Sequence, residues 1–235
     1  ETPSSPEFGI TVEKAIVYLV GVGMANDGRI ASEFKGHSWV YEHGIATYAL
    51  AEAYTLCSKS NLNIPNLKET VEKAGIFIAE NQHPTGGWAY SYDMDAKGHH
   101  DSSVTCWQLQ ALKACKYTGL DSLSKLDTVA RKGLSYLESC QNKEGGVAYK
   151  PGGKGNPTMT GGSVLCHQQW GKGSRSTVRK GRKYIENKVT FGYDTAESDL
   201  YGHYYNGQAM INFGGSTWKD YNILFRDGVL NAQNA

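Results

Sequence analysis

The stretch VEKAGIFIAENQHPTGGW, residues 71–88, decides the fold because it joins an amphipathic helix pattern to a glycine turn. Its first four residues repeat those at 12–15, a step of 59 positions. A further step of 59 reaches ARKG at 130–133, and a step of 48 then reaches VRKG at 178–181. The turn glycines keep the register of 59: Gly28, Gly87 and Gly146. Self-similarity at a nearly fixed period predicts a helical repeat protein.

Each repeat contains two kinds of helix. Amphipathic helices, with lysine and glutamate on one side, are predicted near 10–22, 67–81, 126–141 and 175–188. Helices with few charges, which other elements must cover on several sides, are predicted near 39–56, 101–117, 158–170 and 200–213. A terminal helix is predicted from Trp218 to Ala235. The sequence therefore predicts an all-α protein of about four helical hairpins plus one helix, in a single domain over residues 1–235.

Alternation of an exposed helix with a covered one favours two concentric layers over a simple bundle. We therefore expect an α/α toroid, in which the covered helices form the inner layer around a central hollow. The loops GGWAYSYDMDAKGHH and GGVAYKPGGKGNPTMT are long and rich in glycine and tyrosine. Such loops allow short β-hairpins at one rim.

Composition excludes several classes of protein. The 24 basic and 23 acidic residues nearly cancel, so the total charge does not predict a nucleic-acid partner. No apolar run approaches the roughly 18 residues of a transmembrane helix. The five cysteines lie in helical, apolar contexts without CxxC spacing, which predicts buried free thiols. The first residues, ETPSSPEFG, lack an initiator methionine, which is compatible with N-terminal processing and export to the periplasm or outside the cell.

Aligning the Ala-Leu or Ala-Met pairs at 49–50, 111–112 and 209–210 brings the first turns of the inner helices into register. Asp101 and Asp199 then become equivalent, both suited to cap a helix N-terminus, and Asn156 lies near the matching place. One helical turn further, the register predicts four side chains that face one another across the hollow: His43, Thr105, Thr160 and His203.

We therefore expect one end of the hollow to bind a ligand through imidazole, phenol and carboxylate groups. The predicted binding residues are Tyr41, Glu42, His43, His99, His100, Asp101, Thr105, Trp107, Thr160, Asp199, Tyr201, His203 and Tyr205. The candidates for catalysis are His43, His100, Asp101, His203 and Tyr205. No metal or cofactor is predicted. The same residues also have a structural interpretation, in which the aspartates are helix caps and the histidines are hydrogen-bonded in the interior.

Two motifs resemble a known family. Residues 82–88, QHPTGGW, are similar to the Gln-x-x-x-Gly-x-Trp repeat of squalene and hopene cyclases, and QNKEGGV at 141–147 has valine for tryptophan. The segments 39–54, 101–114 and YYNGQAMINFGGSTWKDYN resemble a bacterial branch of squalene-cyclase and prenyltransferase-repeat proteins, often of unassigned activity. The resemblance covers almost the whole chain and implies a terpenoid-cyclase-like α/α toroid.

The catalytic residues of that superfamily are missing. The cyclases protonate an alkene with the middle aspartate of Asp-x-Asp-Asp, and here His100 stands at that position before Asp101. The prenyltransferases bind zinc through an Asp-x-Cys pair and the histidine of Asp-x-Tyr-His. At those places this chain has Pro157, Met159 and Gly202. The resemblance therefore implies the fold without either reaction.

Three hypotheses of function follow. The first is a divergent toroid that binds a small molecule in the predicted pocket. The second is a polysaccharide lyase with a histidine or tyrosine base, which also needs a cation to neutralise the substrate's carboxylate. The third is a repeat scaffold for a protein partner. A small molecule, a glycan and a protein thus all remain open as partners.

Overall fold

The computed structural model describes residues 2–60, 62–95, 100–195 and 198–233. Within these ranges the chain is mostly helical, with nine α-helices and one two-stranded antiparallel sheet. The helices are α1 (Gly9–Ala25), α2 (Trp39–Lys59), α3 (Leu67–Glu80), α4 (Ser102–Tyr117), α5 (Asp127–Ser139), α6 (Pro157–Gln169), α7 (Ser176–Lys188), α8 (Leu200–Phe213) and α9 (Gly215–Ala232). Strand β1 (Trp88–Ala89) pairs with β2 (His100–Asp101), and single 3₁₀ turns form at Tyr90–Tyr92 and Asp121–Leu123. No helix in the described ranges has the length and apolar character needed to cross a membrane.

The predicted helices are confirmed, with differences at their ends. Helix α1 continues to Ala25, and the last helix begins at Gly215 rather than Trp218. Its start is set by Gly214, whose φ of +66° breaks the chain away from α8. The short pair β1–β2 lies in the first of the two loops for which hairpins were expected.

The chain forms two compact units, one ending at Gly133 and one beginning at Leu134, inside α5. In the first unit α2 packs against α4, and α3 covers both. In the second unit α6 packs against α8, while α7 lies on α6 and α9 lies on α8. Within each unit, therefore, the less charged helices pack against each other as predicted.

Burial separates the four less charged helices. Residues 102–112 of α4 and 158–167 of α6 are buried at every position, as expected for covered helices. Helices α2 and α8 differ, because Ile45 and Leu56 of α2 are exposed, as are Leu200 and Ile211 of α8. These two helices therefore pack on several sides, as expected, but leave part of their apolar surface exposed. All five cysteines are buried free thiols, as predicted.

The glutamine of the first Gln-x-x-x-Gly motif links its own turn to the next amphipathic helix. Gln82 Nε2 donates to the carbonyl oxygen of Gly86 at 2.7 Å and to that of Val129 at 2.9 Å. Gly86 has a φ of +95°, and a Cβ there would lie 2.5 Å from the carbonyl oxygen of Lys132. The turn thus approaches α5 so closely that only glycine fits.

The second unit repeats this geometry. Gln141 Nε2 donates to the carbonyl oxygens of Gly145 at 3.0 Å and Thr177 at 2.9 Å. Gly145 has a φ of +97° and lies against the carbonyl of Lys180. The two motifs therefore form the same turn, with the same pair of glutamine hydrogen bonds, once in each unit.

The predicted register of the turn glycines needs one correction. The left-handed glycines that approach the next helix are Gly28, Gly86 and Gly145, rather than Gly28, Gly87 and Gly146. The first step is therefore 58 residues, because Gly28 follows Val12 by 16 positions whereas Gly86 follows Val71 by 15.

Candidate functional site

The first turns of three less charged helices are capped by the predicted residues. Asp101, Asn156 and Asp199 each accept a backbone N–H with a side-chain oxygen. The donors are Ser103 at 2.7 Å, Met159 at 3.1 Å and Gly202 at 2.8 Å. The capping interpretation of these residues is therefore confirmed.

One turn further, Thr105 and Thr160 hold the preceding loop. Thr105 Oγ1 accepts the backbone N–H of Trp88 at 3.1 Å and donates to the carbonyl oxygen of Asp101 at 2.8 Å. Thr160 Oγ1 accepts from Val147 at 2.9 Å and donates to the carbonyl oxygen of its own N-cap at 2.7 Å. Both threonines are fully buried, so these hydroxyls serve the loop and are not presented to a ligand.

In the first repeat, His43 holds the preceding turn as the two threonines hold their loops. Its Nδ1 accepts the backbone N–H of Ile30 at 3.1 Å, and its side chain is fully buried. Burial lowers the pKa of His43 to about 4, and the backbone of Ala74 opposes this only in part. The ring is therefore neutral near pH 7, with its proton on Nε2.

His203 has different surroundings at the same register position. Its Nδ1 lies 2.6 Å from the hydroxyl of Tyr221 on α9. Burial raises the pKa of Tyr221, and a hydrogen bond with the side chain of Asn206 opposes this only in part, so the phenol keeps its proton. Burial also lowers the pKa of His203, while the charge of Asp199 and the backbone of Thr190 act in the opposite direction. His203 is thus a neutral, hydrogen-bonded imidazole.

A cavity opens beside His203, which we call the α8 cavity. Its volume is about 140 Å³. It is lined by Pro157, the segment 188–190, Asp199, Gly202, His203 and Asn206. Two of the predicted binding residues, Asp199 and His203, therefore line the same cavity.

Asp199 stands at the mouth of the α8 cavity. Its Oδ1 accepts from the N–H of Gly202 at 2.8 Å, and its Oδ2 accepts a short hydrogen bond from the hydroxyl of Thr158 on α6. A Cβ on Gly202 would lie 2.5 Å from Asp199 Oδ2. Glycine at 202 therefore lets the Thr158 hydroxyl reach the carboxylate.

Asn206 was not predicted from the sequence. Its side chain is only 1% exposed, and its Oδ1 has no hydrogen-bond partner among the described residues. This oxygen lies against Gly161 of α6, where a Cβ would approach it to 2.1 Å. The available signal was an amide side chain three positions after His203, close to the same face of the helix.

The first unit holds a second cluster, which contains two predicted residues, Tyr41 and Asp101. Ser103 Oγ donates to Asp101 Oδ1 at 2.5 Å and lies 2.6 Å from the Tyr41 hydroxyl. The Tyr90 hydroxyl lies 3.2 Å from that of Tyr41. Burial raises the pKa of Tyr41, so it is a proton donor in this chain of hydroxyls.

The other predicted site residues have local partners or are buried. Glu42 Oε2 accepts from both the N–H and the hydroxyl of Ser32, at 2.7 Å each. His100 stacks on His83, with ring centroids 4.9 Å apart. Trp107 and Tyr205 are buried, and the exposed Tyr201 packs on Tyr205 with its ring edge. His99 lies outside the described residues.

Among the described side chains, no group of three or more His, Cys, Asp or Glu is arranged to hold a metal ion. The sequence matches no protein-family model, and comparison with curated proteins finds no relative.

Proposed function

We propose that the protein binds a small polar molecule in the α8 cavity. The observation that carries this proposal is the cavity itself, whose lining is mostly polar and contains Asp199, His203 and Asn206. A ligand with hydroxyl or amide N–H groups can form hydrogen bonds with such a lining.

Comparison among the repeats supports the same cavity. At three of the four register positions, the side chain accepts the backbone N–H of a preceding turn: His43, Thr105 and Thr160. His203 instead contacts α9 through Tyr221. His203 is also the register residue that lines a cavity in the described structure, so binding is most simply assigned to it.

We also infer that the chain is a divergent relative of the terpenoid-cyclase-like α/α toroids. The pairing of less charged helices in each unit, and the matched Gln82 and Gln141 turns, support this relation. The lining of the α8 cavity favours a polar ligand over an isoprenoid, because it contains a carboxylate, an imidazole, an amide and an ammonium group. Catalysis is not part of this proposal.

The test is binding of neutral probes observed by NMR. Butyramide, glycerol and glucose are offered to the folded protein, with farnesol as the apolar comparison. We expect at least one neutral polar probe to bind, and Asn206→Leu to abolish its binding. Asn212→Leu, on the exposed face of the same helix, is the matched control and should bind normally. Failure of every polar probe, or equal binding by Asn206→Leu, would overturn the proposal.

A lyase acting on acidic polysaccharides is the second candidate. Lys188 favours it, because a lysine beside the His203–Tyr221 pair supplies the cation that neutralises a uronate carboxylate. Elimination would produce an unsaturated uronate, so ultraviolet absorbance should grow on incubation with polygalacturonate or alginate. A flat absorbance across such substrates would eliminate this candidate.

A further inference from the structure

The mouth of the α8 cavity carries one positive and one negative side chain that are not paired with each other. Lys188, at the end of α7, and Asp199, at the N-cap of α8, both line the cavity and are both exposed. Within the described part of the chain, neither forms an ion pair. Opposite charges held apart across one opening are suited to a ligand that carries both signs.

Asn206 marks the inner end of the same cavity. It follows Asp199 by seven residues, which is about 10 Å along a helix axis and places both on nearly the same face. A ligand that spans the cavity therefore has its charged groups at the mouth and a neutral polar group at the inner end. Pro157 and Val189 supply apolar surface between these two ends.

We propose that the ligand is a small amino acid with an uncharged polar side chain. Its ammonium group pairs with Asp199, its carboxylate pairs with Lys188, and its uncharged side chain lies against the polar lining that includes Asn206. This inference rests on the proposed function, since it names the ligand class of the same cavity.

The two charges at the mouth disfavour simpler ions. A plain carboxylate that reaches Lys188 also meets the negative charge of Asp199, and a plain amine meets the positive charge of Lys188. A zwitterion offers a partner to each group, and its methylene groups contact the apolar wall. The arrangement therefore selects for the two charges together.

Four matched probes test the inference: L-glutamine, glutaramate, 4-aminobutyramide and butyramide. All four contain a primary amide. L-Glutamine also carries both charged groups, glutaramate carries only the carboxylate, 4-aminobutyramide carries only the ammonium group, and butyramide carries neither. We expect L-glutamine to bind most tightly and each single-charge probe to bind about tenfold more weakly, as loss of one charge-assisted hydrogen bond implies. Calorimetric titration of the full chain measures each affinity.

Two variants assign the charged groups. Lys188→Gln should lower the affinity for L-glutamine about tenfold without weakening the binding of 4-aminobutyramide, which the lysine repels. Asp199→Asn should likewise lower the affinity for L-glutamine about tenfold without weakening the binding of glutaramate, which the aspartate repels. Lys183→Gln and Asp220→Asn are the matched controls at exposed positions. If butyramide binds as tightly as L-glutamine, the amino-acid assignment is overturned while the polar-ligand proposal stands. If none of the four binds, both are overturned.

Discussion

The imidazole Nδ1 of His43 accepts the backbone N–H of Ile30 at 3.1 Å, which fixes the turn after α1 to the first turn of α2. This bond requires the neutral ring, because a protonated Nδ1 has no lone pair to offer. The pKa of His43 in the folded state is about 4, against 6.5 for an unperturbed histidine. The fold and the protonation state of this residue are therefore coupled.

We predict that the free energy of unfolding falls as the pH is lowered from about 6.5 towards 4. In this window the unfolded chain takes up a proton at His43 and the folded chain does not, so up to about 3 kcal/mol is lost. Urea unfolding at several pH values measures the slope. His43→Gln should be less stable at pH 8 but should depend less on pH, and an unchanged slope in that variant would contradict the prediction.

The two motif glutamines should stabilise the protein by similar amounts. Gln82→Leu and Gln141→Leu each remove two hydrogen bonds to partly buried carbonyl groups, so we expect each to cost about 1–3 kcal/mol. Gln208→Leu removes one exposed bond to Tyr204 and should change stability by less than about 0.5 kcal/mol. Urea denaturation compares the three variants. Equal effects from all three would show that the bridging role of the motif glutamines is wrong.

The helices and their caps were predictable because they depend on neighbours in the sequence. The 3.6-residue period of apolar residues predicted the four pairs of helices. An aspartate that precedes an apolar helix, such as Asp101 or Asp199, caps that helix by accepting a backbone N–H of its first turn. Within each unit, the less charged helices also pack together as predicted, because the apolar surface of a helix is stabilised by contact with another apolar surface.

The candidate site was predicted only in part, because its partners are distant in the sequence. Nothing local indicates that His43 accepts from Ile30, or that His203 meets Tyr221 eighteen positions later. Asn206 became a candidate only when the packing of α8 placed it in the lining of the α8 cavity. Which side chains line a cavity is a property of the packed interior, and spacing along the chain does not reveal it.

Stability should also decline in alkali. Burial raises the pKa of Tyr41, Tyr92 and Tyr221 above the ordinary value of 10.0. Above that pH the unfolded chain loses these protons and the folded chain keeps them, so the free energy of unfolding decreases as the pH rises. Phenolate absorbance measured during an alkaline titration should show these tyrosines ionising together with unfolding. Reversible ionisation of all fifteen tyrosines in the folded protein would refute the prediction.

Two glycines of α8 should respond in opposite directions to alanine. A Cβ at Gly202 would lie 2.5 Å from Asp199 Oδ2 and 2.8 Å from Thr158 Oγ1, whereas a Cβ at Gly207 meets no atom within 4 Å. Gly207→Ala should therefore gain about 0.5–1 kcal/mol from helix propensity. Gly202→Ala forces the carboxylate away from Thr158, and we expect a net loss of about 1–3 kcal/mol.

The same pair tests the link between the cap and the cavity. Because Asp199 lines the mouth, its displacement in Gly202→Ala should also weaken binding of L-glutamine, while Gly207→Ala should bind as the unmodified protein does. Urea unfolding and calorimetric titration of both variants measure the two effects. An alanine methyl at 202 cannot fit while the Thr158–Asp199 hydrogen bond is intact. If Gly202→Ala proved as stabilising as Gly207→Ala, that hydrogen bond would therefore not be what holds the carboxylate at the mouth.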